Sequence, residues 1–251
     1  MFLLVICGVM GFVGYRLGAY HASLMPSNDL RLGRDEWTNP LLACNISEKN
    51  DVRVFGVLVN HWQSLAQEEQ RLGRVSRVSV YVRDLKNGKS ASIGEDERYA
   101  SASLLKLPIL ISYFKRAEED PDILGQTLYY DGSVDLNERQ NVKPSEAIQK
   151  GRYRIDELLR RMIVYSANNS MLLLVGRLKE EGVRAVYDDL HLPFVFNQNQ
   201  DLLASPKEYA LFFRALYNAT YLSREMSEKA LMYLNQVEFK QGIVAGVPET
   251  V

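Results

Sequence analysis

Residues Leu104 to Phe114 form an apolar run interrupted only by Lys106, Pro108 and Ser112. A segment apolar on every face predicts a helix buried on every side. In front of it stands Tyr99-Ala100-Ser101-Ala102-Ser103, small and polar as a helix start should be. Ser103 and Lys106 are three residues apart, which on a helix places both side chains on one face, a turn from each other. A serine at a helix N-terminus sits where unpaired backbone N–H groups and the macrodipole stabilise developing negative charge. A desolvated lysine loses its proton more readily and can take one from that hydroxyl. The spacing therefore supplies a nucleophile and its activator without histidine. The plainer alternative makes Ser101 or Ser103 an N-cap and Lys106 a solvated lysine. Pro108 removes one backbone donor and frees the carbonyl of Leu104, which predicts a bend.

The same spacing recurs at Ser112 and Lys115. Ser112 lies inside the apolar run, where its hydroxyl faces a preceding helical turn with no free backbone donors, so this copy reads as structural. A second polar motif, Tyr165-Ser166-Ala167-Asn168, follows the helical pattern Ile155 to Val164 and precedes the apolar stretch Met171 to Val175. Polar groups between two apolar helices are costly to bury without partners. As structure, Ser166 and Asn168 make an interhelical turn, because both residue types bond their own backbone. As chemistry, they supply a second hydroxyl for proton relay and an amide that orients the substrate and the lysine.

In this order the motifs resemble those of class A β-lactamase-like serine hydrolases, of the superfamily that includes penicillin-binding D,D-peptidases, which carry Ser-x-x-Lys, Ser-Asp-Asn and Lys-Thr-Gly. The segment Val78 to Lys89 alternates like a strand and turns at Asn87-Gly88, similar to the family's first hairpin, directly before the nucleophile. The resemblance runs from about Asp51 to the C-terminus. It implies an α+β fold, with a helical subdomain packed on an antiparallel sheet and the site in the crevice between them. It implies that Ser103 attacks a carbonyl, Lys106 takes or relays its proton, Ser166 passes a proton to the leaving nitrogen, and Asn168 binds the substrate amide. The Ser103 N–H would supply part of an oxyanion hole. The implied substrates are β-lactams or D-Ala-D-Ala-type peptidoglycan peptides, with no cofactor and no metal. A catalytically silent, membrane-tethered wall-binding module is the alternative of a different class.

Three departures qualify the resemblance. Ala167 replaces the central aspartate of Ser-Asp-Asn, giving the looser Ser-x-Asn form of the penicillin-binding relatives. The region matching the family's deacylation loop, Leu190 to Leu203, contains no glutamate. Glu208 stands nearby, but Ser205-Pro206-Lys207-Glu208 has the pattern of a capping box, with Ser205 at N-cap, Pro206 at N1 and Glu208 at N3. An acyl-enzyme is therefore expected to form and to hydrolyse slowly. Lys-Thr-Gly does not occur, so the later sheet strands are expected beyond Val251, with 51–251 a partial domain.

The N-terminal part reads as separate units: residues 1–22 as a membrane anchor or signal segment and 23–50 as a linker. Met1 to Tyr15 is apolar or glycine, whereas Arg16, Arg31 and Arg34 follow. Strictly applied, the positive-inside rule would leave the domain in the cytoplasm, but the resemblance implies an extracytoplasmic, cell-envelope location, anchored or secreted. Cys7 and Cys44 are not expected to pair. Val52 to Leu72 has helical spacing, with Val54, Leu58, Trp62, Leu65 and Leu72 as core positions. The helical region is expected from Ser101 through Leu234, broken at Asp120-Pro121, at Asp131-Gly132-Ser133 and near Pro193. A formal net charge of −1, with Lys and Arg dispersed, argues against nucleic acid. His21, His61 and His191 lack metal-ligand spacing. A monomer is expected.

Overall fold

The computed structural model describes residues 30–31, 33, 35–43, 52–85 and 88–247. The expected units at 1–22 lie outside them, as do Cys7, Cys44 and the residues around Val251. The architecture is α+β, with antiparallel strand pairs and a helical subdomain. Among the described residues no helix is long and apolar enough to cross a membrane.

Two short strands, β1 (Leu30–Arg31) and β2 (Leu41–Ala43), pair antiparallel. The segment between them is fastened to the helical subdomain. Trp37 and Thr38 donate their N–H groups to the Glu228 carboxylate at 2.8 and 2.9 Å, and Asp35 pairs with Arg224. Helix α1 (Val52–Arg71) leads to the hairpin β3 (Val80–Arg83) and β4 (Ser90–Ile93), in register Val80↔Ile93 to Arg83↔Ser90. Gly88, at φ +75°, takes the left-handed turn that glycine adopts without a Cβ penalty.

The apolar run is α2 (Lys106–Glu119), and it is the centre of the molecule. Leu107, Ile109, Leu110, Ile111, Tyr113 and Phe114 are each no more than 2% exposed, as an all-round apolar helix requires. Around it pack α3 (Ile155–Val164), α4 (Asn168–Asp189) and α6 (Arg224–Asn235). Its polar exceptions are satisfied internally: Tyr113 donates to the Leu174 carbonyl at 2.8 Å and Ser112 to that of Gly182 at 2.5 Å. The turn between α3 and α4 is Tyr165-Ser166-Ala167. Strand β5 (Tyr99–Ala100), shortly before Ser103, pairs with β9 (Leu202–Ala204), and β9 with β8 (Val195–Phe196). Helix α5 (Pro206–Tyr217) follows β9.

Two sequence expectations change. Leu58, Leu65 and Leu72 are exposed, Leu65 by 53%, because α1 meets β4 of a two-stranded hairpin that is too narrow to cover its apolar side. The region from Ser101 to Leu234 is not only helical. Besides β8 and β9 it contains the hairpin β6 (Thr127–Tyr130) and β7 (Gly151–Arg154), in register Thr127↔Arg154 to Tyr130↔Gly151. The Thr/Tyr-rich first strand and the Gly-Arg-Tyr-Arg second carried that signal. The long connection between β6 and β7 returns to the α3–α4 turn, which becomes important at the site.

Candidate active site

Ser103 lies in a 3₁₀ turn, Ala102–Leu105, that runs into α2 at Lys106. Pro108 thus falls in the first turn of α2, where a missing N–H costs no helical bond, and the helix type changes just before it. The Leu104 carbonyl that Pro108 cannot pair accepts instead from the Tyr209 hydroxyl at 3.2 Å. Ser101 is at the capping position without capping anything; its hydroxyl donates to the Leu202 carbonyl at 2.8 Å. The N-cap alternative for these serines is therefore not what the structure has.

Lys106 is 3% exposed, and its ammonium donates to Ser103 Oγ at 3.2 Å, Ser166 Oγ at 2.7 Å and the Ser166 carbonyl at 2.6 Å. The two hydroxyl oxygens are 3.3 Å apart. Residues 60 positions apart in sequence thus meet at one nitrogen. Burial disfavours the charged amine and lowers its pKa from the ordinary 10.5 to about 8. No carboxylate of the described residues lines the cleft to offset this. Two backbone positions beside the chemistry sit in the left-handed region: Ala102 at φ +46° and Ser166 at φ +54°. Non-glycine residues hold such angles only where the surroundings impose them.

The cleft has a volume of about 750 Å³. Ser103, Lys106, Ser166 and Asn168 all line it, against apolar walls that include Leu107, Met162, Ile163 and Met171. All four residues singled out in the sequence therefore come together. The duplicate pair does not: Ser112 is buried on Gly182, and Lys115 pairs with Glu118 at 2.9 Å. Asn137 and Gln140, on the β6–β7 connection, were not foreseen. Gln140 donates to the Ser166 carbonyl at 2.8 Å, and Asn137 accepts the Asn168 N–H at 2.9 Å. Their only sequence signal is a polar loop, with no spacing that ties it to Ser166.

Glu208 closes the capping box: Ser205 N–H reaches its carboxylate at 2.9 Å, and its own N–H reaches Ser205 Oγ at 3.2 Å. Arg98 pairs with it at 2.6 Å. Burial pushes this carboxyl up, but Arg98 and the Ser205 N–H outweigh it and hold the pKa below the ordinary value. Among the described residues no group of His, Cys, Asp and Glu is placed to hold a metal ion.

The model of the beta-lactamase enzyme family, Beta-lactamase2, matches residues 63–251. The chain belongs to that family. No curated protein matches this β-lactamase-family chain in sequence. Its fold is similar to that of several solved structures. The class A beta-lactamase from Mycobacterium abscessus superposes with a TM-score of 0.62 at 19% identity, over 74% of this chain and 75% of that one. PBP-A superposes at 0.60 with 22% identity, over 74% and 73%. The beta-lactamase from Sphaerobacter thermophilus DSM 20745 gives 0.57 at 19%, over 68% and 67%. An L158E mutant of PBP-A, solved as an acyl-enzyme complex with penicillin G, superposes at 0.60.

Proposed function

We propose that this protein is a serine hydrolase that forms an acyl-enzyme at Ser103 with β-lactams or D-Ala-D-Ala-type peptides and releases it slowly. The observation that carries the reading is the triangle of Ser103 Oγ, Ser166 Oγ and Lys106 Nζ, with sides of 2.7 to 3.3 Å. Neutral Lys106 takes the Ser103 proton as Oγ adds to the amide carbonyl. The Ser103 N–H supplies part of the stabilisation of the resulting oxyanion. The C–N bond then breaks. The leaving nitrogen takes its proton from Ser166, which is replenished from the Lys106 ammonium, and Ser103 keeps the acyl group as an ester. Asn168 holds the substrate amide. No cofactor enters the scheme. Deacylation is slow because no carboxylate of the described residues lines the cleft to activate water. The acyl-enzyme of the PBP-A mutant supports the same chemistry on this fold.

Substrates of this kind belong to the bacterial cell envelope. The apolar stretch Met1 to Tyr15 supports anchoring or export of a monomeric domain to the extracytoplasmic side. A fluorescent penicillin is expected to label the full-length protein, and Ser103→Ala to abolish labelling. Labelling that persists in the variant would move the nucleophile elsewhere. Folded wild-type protein that takes no label would leave the silent wall-binding module as the reading.

A further inference from the structure

Helix α4 begins without a cap of its own. Ala167 occupies the capping position and offers no side-chain oxygen to the first N–H groups, where Ser, Asp or Asn is preferred. One residue earlier, Ser166 holds its left-handed backbone angle. Both deficits are met by the connection between β6 and β7. Asn137, which is buried, accepts the Asn168 N–H at 2.9 Å and the Asn169 N–H at 3.2 Å on its single Oδ1. It does from another segment what an N-cap side chain does from within. Gln140 donates Nε2–H to the Ser166 carbonyl at 2.8 Å, and its Oε1 accepts the Asn168 N–H at 3.4 Å.

The brace is itself fixed. Asp135 Oδ1 accepts the Asn137 N–H at 2.9 Å and Asn169 Nδ2–H at 2.9 Å, while Asn169 Oδ1 accepts the Leu136 N–H at 2.8 Å. Loop and helix start are joined by reciprocal bonds, and hydrogen-bond networks rigidify what they hold; the buried Asn137 Nδ2 alone in this brace has no partner among the described residues. The consequence falls on Lys106. Its two shortest contacts both go to Ser166, one to the hydroxyl and one to the carbonyl. With Ser166 in the left-handed conformation both of its oxygens face the same nitrogen, the carbonyl at 2.6 Å and the hydroxyl at 2.7 Å.

We infer that Asn137 and Gln140 are positioning residues of the acyl-transfer site: they supply the cap that Ala167 lacks and lock Ser166 so that its hydroxyl and carbonyl both face Lys106. The inference rests on the assignment of Ser103, Lys106 and Ser166 above. Neither residue exchanges a proton with substrate; each acts through the Ser166 turn.

The test is stopped-flow acylation of the full-length protein by a fluorescent penicillin, resolving encounter affinity from the acylation rate constant. Asn137→Ala and Gln140→Ala are each expected to slow acylation roughly tenfold to a hundredfold, the cost of a slightly misplaced group, with encounter affinity unchanged in Asn137→Ala, since Asn137 does not line the cleft. Amide hydrogen exchange at Asn168 and Asn169 should accelerate in Asn137→Ala. If that variant does not fold, Gln140→Ala, which touches the cleft surface, decides. Wild-type rates in both folded Ala variants would overturn the positioning role and leave the nucleophile assignment standing. Wild-type protein that is not acylated at Ser103 would overturn both.

Discussion

In the proposed mechanism Lys106 is the residue on which the chemistry turns, because among the described residues it is the cation lining the cleft and its three acceptors are all neutral oxygens. Lys106→Ala is expected to slow acylation by about a hundredfold to ten-thousandfold, the usual contribution of a general base. Lys115→Ala should leave the rate unchanged, since Lys115 is engaged with Glu118 and the Tyr221 carbonyl. Equal rates in the two variants, measured with the same penicillin, would remove Lys106 as the base. The pH dependence follows from the burial of this amine. The reactive form is the neutral one, so acylation should rise with pH and level off above the pKa of about 8. A rate flat from pH 6 to 9 would mean that Lys106 does not lose its proton before attack. At this scale the sequence was informative where function is locally encoded. Ser103 and Lys106 share one turn, and Ser166 and Asn168 share another. Asn137 and Gln140 were illegible because each acts 26 or more residues away, through contacts that only the fold creates.

Among the elements, helix starts do most of the positioning, and each is finished differently. Helix α2 begins at a 3₁₀ turn and leaves the Leu104 carbonyl to Tyr209; α4 borrows its cap; α5 carries a complete capping box from its own sequence. The box at α5 was legible because all its parts lie within four consecutive residues. Ser205→Ala should destabilise the protein by about 1 kcal/mol, a fall in melting temperature of roughly 2–4 °C for a domain of this size. Thermal denaturation followed by circular dichroism checks this, and an unchanged midpoint would mean that the box contributes nothing to the folded state. The β6–β7 hairpin escaped the sequence reading because its strands lie between helices and are separated by a long polar loop. The apolar spacing of α1 was read correctly as helical but wrongly as core. Periodicity reports which side of a helix is apolar, not how much structure lies against that side.

For the molecule as a whole, the decisive question under the proposed function is what becomes of an acyl group on Ser103. The cleft brings a nucleophile, an amine and a second hydroxyl together but holds no carboxylate of the described residues. The loop Leu190 to Leu203 is drawn into the β5–β9–β8 sheet, and its one acid, Asp201, is exposed and held by Asn197 Nδ2 at 3.0 Å. Glu208, the nearest glutamate in sequence, is committed to Ser205 and Arg98. Acylation and deacylation place different demands on a base. In the proposed acylation Lys106 already touches the hydroxyl it would deprotonate, at 3.2 Å. In deacylation a water must be activated, and no carboxylate of the described residues lines the cleft to do it. The expected behaviour of the full-length protein with a chromogenic cephalosporin is therefore a burst near one equivalent, followed by a slow steady phase. Glu208→Gln should leave both phases unaltered, apart from any loss of stability from the Arg98 pair. Linear turnover without a burst would show that water is activated efficiently. Loss of that turnover in Glu208→Gln would then identify a capping residue as the base.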